Sequence, residues 1–266
     1  MTGLTQILGP ASETYAGFAW NYLRRNLAYE RSYTQIDSHR NRILSYEQSL
    51  FRFANDHDKL AHGWGLECFE SPENTGLEAE VFWRQDAFPG ALSVQYHSEN
   101  HFGNVMELFN LAEFNCLKQH YIKPDGRRIS VLKSQNFWLQ IAGQPTSVET
   151  EREPFTVIMD GGNGARRRID ALRQLTSLKR DGADDFKLLG RERAFIKLRN
   201  GLLAYDIKAT GGSYKDVAIA LFGAEHVATE WNPTGCFLKA RAIRAFKFGE
   251  RMVSQDYQSL LPKKTL

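Results

Sequence analysis

Cysteine is scarce in this chain and badly placed for its usual structural roles. The three residues, Cys68, Cys116 and Cys236, are scattered and form no CxxC pair. That excludes a disulfide framework and a cysteine zinc site, and leaves small core or surface thiols. Long apolar runs are missing as well: none approaches the roughly 18 residues of a membrane span. The opening "MTGLTQILGPASETYAGFAW" lacks the basic start and apolar core of a secretory signal. A cytoplasmic chain without membrane contact is the expectation. No internal repeat and no low-complexity tract occurs.

Catalytic motifs are equally thin. There is no GxSxG, and "DGGNGARRR" (160–168) lacks both the Gly-Lys-Ser/Thr ending of a P-loop and the spacing of a dinucleotide fingerprint. "HSENH" puts His97 and His101 four apart, but Ser98 stands where a zincin needs glutamate. "DHDKLAH" sets His57 and His62 five apart, a spacing at which two ligands on a regular helix diverge. Neither cluster outweighs ordinary surface polarity. The chain is therefore expected not to be an enzyme, with no catalytic residue, no metal and no cofactor.

What is present is a division of charge. Residues 1–160 carry 14 Lys/Arg and 20 Asp/Glu, whereas 161–266 carry 20 and 11, within an overall net charge of +3. A basic C-terminal third on an acidic chain suits a polyanionic partner. Solvated helix faces would produce the same imbalance.

The pattern predicts an α+β protein: a mixed N-terminal domain with short strands, then a helical C-terminal helix-turn-helix domain. One early helix is expected over 15–33. "WGLECFE", "AEVFWRQ" and "ALSVQYH" read as β-prone segments between turn residues, and "NVMELFNLAEFNCLKQHY" (104–121) as a helix with untidy spacing. "RISVLK" (128–133), "FWLQIAG" (137–143) and "PFTVIMDGG" (154–162) read as strands. Helices follow at 165–180, with Ile169, Leu172, Leu175 and Leu178 on one face, and at 191–209. Domains are accordingly placed at 1–105 and 106–266. The second has a β-hairpin lead-in (128–160) and a helix-turn-helix bundle (165–262).

The most informative stretch is 213–252, "SYKDVAIALFGAEHVATEWNPTGCFLKARAIRAFKFGERM". Ser213, with Asp216 three residues on, forms a capping box for a short helix that Gly223 ends. "AEHVATE" reads as a connection, and Asn232 and Pro233 suit the start of the next helix. In that helix Leu238, Ala242, Ala245, Phe246 and Val253 share one sector at about 100° per residue. Arg244, Lys247 and Arg251 fall opposite, with Lys239 and Arg241 at the margins. One face is fit to pack and the other to meet phosphate. Trp231 is expected to be a buried packing residue, and Phe237 and Phe248 lie towards the basic side.

"GGSYKDVAIALFGAEHVATEWNPTG" with "LKARAIRAFKFGERMVSQDYQSLL" resembles the C-terminal motif of a bacterial family of helix-turn-helix domains. "FAWNYLRRNLAYERSY" with "FWRQDAFPGAL" resembles its companion transcriptional-regulator-like domain. The two are joined in FseA-type activators of integrative and conjugative elements. That resemblance implies a DNA-binding transcriptional activator of excision and transfer genes, acting in horizontal gene transfer. It also implies promoter DNA and a QseM-like antiactivator as partners, with RNA polymerase and a second copy of the chain as further candidates. "CFLKARAIRAFKFG" departs from the family by placing Ala and Phe where many members are basic, and Asp256-Tyr257 replaces Gly-Tyr. The alternative is a protein-interaction module whose helix-turn-helix binds another regulator.

With the second helix in a major groove, Thr234, Lys239 and Ala240 are the candidates for base contact, and Arg241, Arg244, Lys247 and Arg251 for phosphate. Ser213, Tyr214, Leu221, Phe222, Gly223 and Trp231 would form the structural frame of the motif.

Overall fold

The computed structural model describes residues 14–36, 43–46, 49–76, 78–97, 108–134, 137–159, 161–162, 164–182, 192–232 and 237–262. The architecture is α+β: a seven-stranded mixed sheet with helices on both faces. Helices α1 (Tyr15–Leu23) and α2 (Leu27–Thr34) precede β1 (Ile43–Tyr46), β2 (Ser49–Phe53) and β3 (Leu92–Tyr96). Then come β4 (Leu117–Ile122), β5 (Arg128–Lys133), β6 (Trp138–Gly143) and β7 (Phe155–Ile158). The helices α3 (Ala165–Asp181), α4 (Glu192–Ala209), α5 (Tyr214–Phe222), α6 (Ala224–Glu230) and α7 (Phe237–Ser254) complete the order.

The strand order is β1-β2-β4-β5-β6-β3-β7. Pairing is parallel between β2 and β4 and between β3 and β6, and antiparallel elsewhere. The boundary expected at residue 105 therefore falls between strands of one sheet, since β3 lies between β6 and β7. The β5–β6 hairpin forms where the sequence placed it, and Gly126 takes φ 81° in the turn before β5. Alternation along the strands feeds two cores. Ile129, Val131 and Trp138 face a cluster containing α1, α2 and the C-terminal helices. Leu132, Leu139 and Ile141 face a second cluster with Ala171, Leu175 and Leu178 of α3. The helix at 165–181 thus packs on the sheet rather than in the helical bundle, and Ile169, expected on its buried face, is 43% exposed.

Three other local expectations change. The early helix is two helices, because the Asn26 side chain accepts from the Ala28 and Tyr29 amides and caps a new start. Residues 108–121 hold a bridge at Phe109, a short 3₁₀ turn at Leu111–Glu113 and β4, not a helix; 104–107 lie outside the described residues. Of the three early β-prone segments only 92–96 is a strand, while Leu66 and Trp83 form an isolated bridge.

The N-terminal helices are fastened to the C-terminal ones. The Tyr22 hydroxyl donates to the Leu198 carbonyl at 2.7 Å, and Arg25 grips both oxygens of Asp206 at 2.6 and 2.8 Å. Asn26 Nδ2 donates to the carbonyls of Val253 and Ser254. Beneath these bonds α4 and α7 cross backbone to backbone. A Cβ on Gly249 would sit 2.2 Å from the Gly201 carbonyl oxygen, and one on Gly201 would sit 2.7 Å from the Phe248 ring. Only two glycines permit that approach.

Gly249→Ala should therefore lose more in overpacking than the roughly 1 kcal/mol that alanine offers a helix over glycine. Overpacked cores cost about 1–3 kcal/mol, and here the clash is with backbone. Urea denaturation should show a net loss of about 1–2 kcal/mol, and a variant as stable as the parent would refute the crossing.

Candidate nucleic-acid interface

The C-terminal frame is built from α5, α6 and α7. The Ser213 side chain accepts from the Asp216 amide while the Asp216 carboxylate accepts from the Ser213 amide at 2.8 Å, so the capping box starts α5. These bonds hold the Asp216 carboxyl below its usual range. Gly223, at φ 91°, ends the helix, and its geometry starts α6 one residue later. The stretch read as a connection, "AEHVATE", is thus a helix of its own. Val227 is its inward residue, and it joins Val217, Ala218, Leu238 and Ala242 in a small core.

Tyr214, Leu221, Phe222 and Trp231 pack around that core. The Tyr214 ring meets Phe246 edge-on at 6.1 Å. Trp231 caps α6 through its amide to the Val227 carbonyl, and it is half-buried rather than buried. Its truncation should therefore remove less than the 3–5 kcal/mol of a fully enclosed indole.

Two helices follow the first turn, so either could be set in a groove. The outer surface of α6 carries Glu225 and Glu230, with His226 3.7 Å from Glu230. That charge opposes phosphate. On α7, Leu238, Ala242, Gly249, Met252 and Val253 are buried, and Arg244, Lys247 and Arg251 are exposed on the opposite side. Ala240 is half-buried. Lys239 is half-buried on the flank. Thr234 lies outside the described residues, as do Pro233 and Cys236.

Arg241 is exposed, and its guanidinium stands 4.5 Å from the Phe222 ring centre and 5.5 Å from that of Phe237. Phe248, which the sequence put near the basic side, is inserted between α4 and Tyr22 instead. Lys197 of α4 stands 4.4 Å over its ring, which carries positive charge from α7 onto the neighbouring helix. Sequence spacing gave no hint of Lys197, because only the helix crossing brings it there.

Other polar clusters are structural. In "DHDKLAH", the Asp58 carboxylate accepts from the Asn55 amide and the Tyr121 hydroxyl, and His62 lies 4.0 Å from Glu67. Of "HSENH" only His97 is described, bonded to Thr156 at 2.9 Å. A cleft of about 410 Å³ is lined by Arg84, Lys123 and Arg127, each already matched by Asp86, Glu67 and Asp125 respectively.

One constellation looks catalytic by composition. The His120 ring contacts Ser130 Oγ through Nδ1 at 2.9 Å and Glu151 through Nε2 at 2.7 Å, and Lys118 adds a 2.8 Å contact to the same carboxylate. Ser130 and His120 are fully enclosed, however, and Phe51 stacks on the imidazole at 4.4 Å. A nucleophile sealed under an aromatic ring reaches no substrate, so the group locks β2, β4 and β5.

Two comparisons with known families bear on the same regions. Residues 158–262 match the family model described as "T6SS, Transcription factor, DNA binding domain". Residues 10–68 match the model of a "Proteobacterial transcriptional regulator-like domain". No curated protein matches the chain. The class these segments support is the DNA-binding transcriptional regulator, and the basic face of α7 lies inside the first match. No helix among the described residues is long and apolar enough to cross a membrane.

The buried His120 group makes stability depend on acid. Burial pushes its pKa down to about 4 from 6.5, with Arg128 adding to the effect and the Glu151 bond opposing it. The unfolded chain then binds this proton more readily, so stability falls as pH drops from about 6.5 to 4. For Glu151, burial raises the pKa, but bonds from His120, Lys118 and Ser49 outweigh it and pull it to about 2. Its contribution is lost in the same direction, below about 4.5. Denaturation across this range should show that fall, and His120→Gln should flatten it above pH 4.5. An unchanged slope would contradict the assignment.

Proposed function

We propose that this chain is a transcriptional activator that sets α7 into the major groove of promoter DNA. The observation that carries the reading is the exposed Arg244, Lys247 and Arg251 face, opposite the side that α7 buries. Helix length suits it: 18 residues extend well beyond one groove width, so the first turns meet base edges and the later ones phosphate. Lys197 extends the same positive surface.

The finer reading rests on the motif resemblance. The regulated genes are those for excision and conjugative transfer of a mobile element, and a QseM-like antiactivator holds the protein off. RNA polymerase and a second copy of the chain are the other partners. The protein works in the cytoplasm as a binding protein, without catalysis or cofactor.

A variant in which Arg244, Lys247 and Arg251 are all alanine tests the DNA face. Exposed substitutions usually move stability by about 0.5 kcal/mol or less, so it should melt near the parent. Each lost phosphate contact should lower the slope of log affinity against log salt by about 0.9 on duplex DNA. Unchanged duplex binding and salt slope, with loss of binding to a regulatory protein, would transfer the face to the interaction-module reading.

A further inference from the structure

The first turn of α7 carries a feature that phosphate binding does not use. Phe237 is 67% exposed, the most exposed among the large apolar side chains described. At about 100° per residue it falls on the same outward sector as Ala240, Arg244, Lys247 and Arg251. An aromatic ring gains nothing from a phosphate. Among the base edges of a major groove, the thymine 5-methyl is the group that apolar side chains contact.

Arg241 differs from the other cations in what holds it. Its guanidinium lies against the rings of Phe222 and Phe237, and no carboxylate pairs with it among the described residues. A guanidinium stacked on rings keeps its N–H edge available in a fixed plane, the form that donates two bonds to guanine O6 and N7. Phe222 is itself fixed, being packed against the small core of α5, α6 and α7.

We infer that Phe237 and Arg241 form a base-reading pair, with Phe237 against a thymine methyl and Arg241 on a neighbouring guanine. Phe222 is the positioning residue that orients the guanidinium. Arg244, Lys247 and Arg251 remain on phosphate. The pair rests on the reading of α7 as the groove helix, and it moves Arg241 from phosphate contact to sequence readout. The positive charge around it favours a nucleic acid over a protein partner.

The test begins with selection of duplexes from a randomised DNA pool by the full chain, followed by binding measurements on the preferred sequence. The expected preference contains thymine beside guanine. Replacing that thymine with deoxyuridine removes one methyl, and should weaken parent binding about fourfold. Phe237→Ala should be indifferent to the same replacement. Arg241→Lys keeps the charge but not the fork, so it should lose about tenfold in guanine preference while its salt slope stays.

A thermal melt of both variants, expected near the parent, separates these effects from unfolding; the uracil replacement needs no variant at all. If the parent selects a sequence but ignores uracil, and both variants select that same sequence, the base-reading pair is wrong while DNA binding stands. If Phe237→Ala weakens every duplex equally, Phe237 supports the helix and reads no base. If the parent retains no duplex at any salt, the proposed function falls and this pair with it.

Discussion

Two glycines set the geometry of the basic face. Where α4 crosses α7, Gly201 and Gly249 bring the backbones so close that a methyl on either would collide. The crossing decides which side of α7 is buried, and therefore which side is presented. Leu238, Ala242, Met252 and Val253 follow the glycine inward, and Arg244, Lys247 and Arg251 are left outward. It also forces Phe248 into the gap beside Gly201 and Tyr22, where Lys197 covers its ring. A residue that composition alone would assign to a docking surface is thereby used to pack the interior.

The same crossing ties the two family-like segments together. Tyr22, Arg25 and Asn26 come from the regulator-like segment, and their partners Leu198, Asp206 and Val253 come from the DNA-binding-domain-like one. Tyr257 returns the connection by donating to the Trp64 carbonyl at 3.0 Å. Their apolar side chains share one cluster with the sheet. Any partner that pulls on α1 or α2 therefore acts directly on the helices that carry α7. These identified bonds join the regulator-like segment directly to the helices that carry α7.

Much of this was legible in the sequence where the signal is local. The Ser213–Asp216 capping box, the Gly223 stop and the outward cations of α7 all follow from spacing within a few residues. So do the β5–β6 hairpin and the helix at 165–181. What the sequence concealed depends on contacts made far along the chain. Asn26 splits a helical pattern because its amide also serves Val253 and Ser254, 227 and 228 positions away. The α3 helix lies on the sheet, where Ala171, Leu175 and Leu178 join strand residues in the second cluster. "AEHVATE" has the inward Val227 of a helix, but seven residues after a glycine look like a loop until α5 packs beside them. The charge division near 160 was visible, yet it marks a change of surface and not a boundary in the core.

The proposed reading makes the outward face of α7 the surface that meets DNA. A photo-crosslinker in place of Lys247 on the full chain, with one in place of the exposed Thr176 of α3 as comparison, puts that to the test. With a randomised duplex pool, irradiation should join DNA to the chain from Lys247 and not from Thr176, and high salt should abolish the product. Crosslinks that form from Thr176 instead, or none from Lys247 while the protein still retards duplex DNA, would place the nucleic acid elsewhere on the molecule.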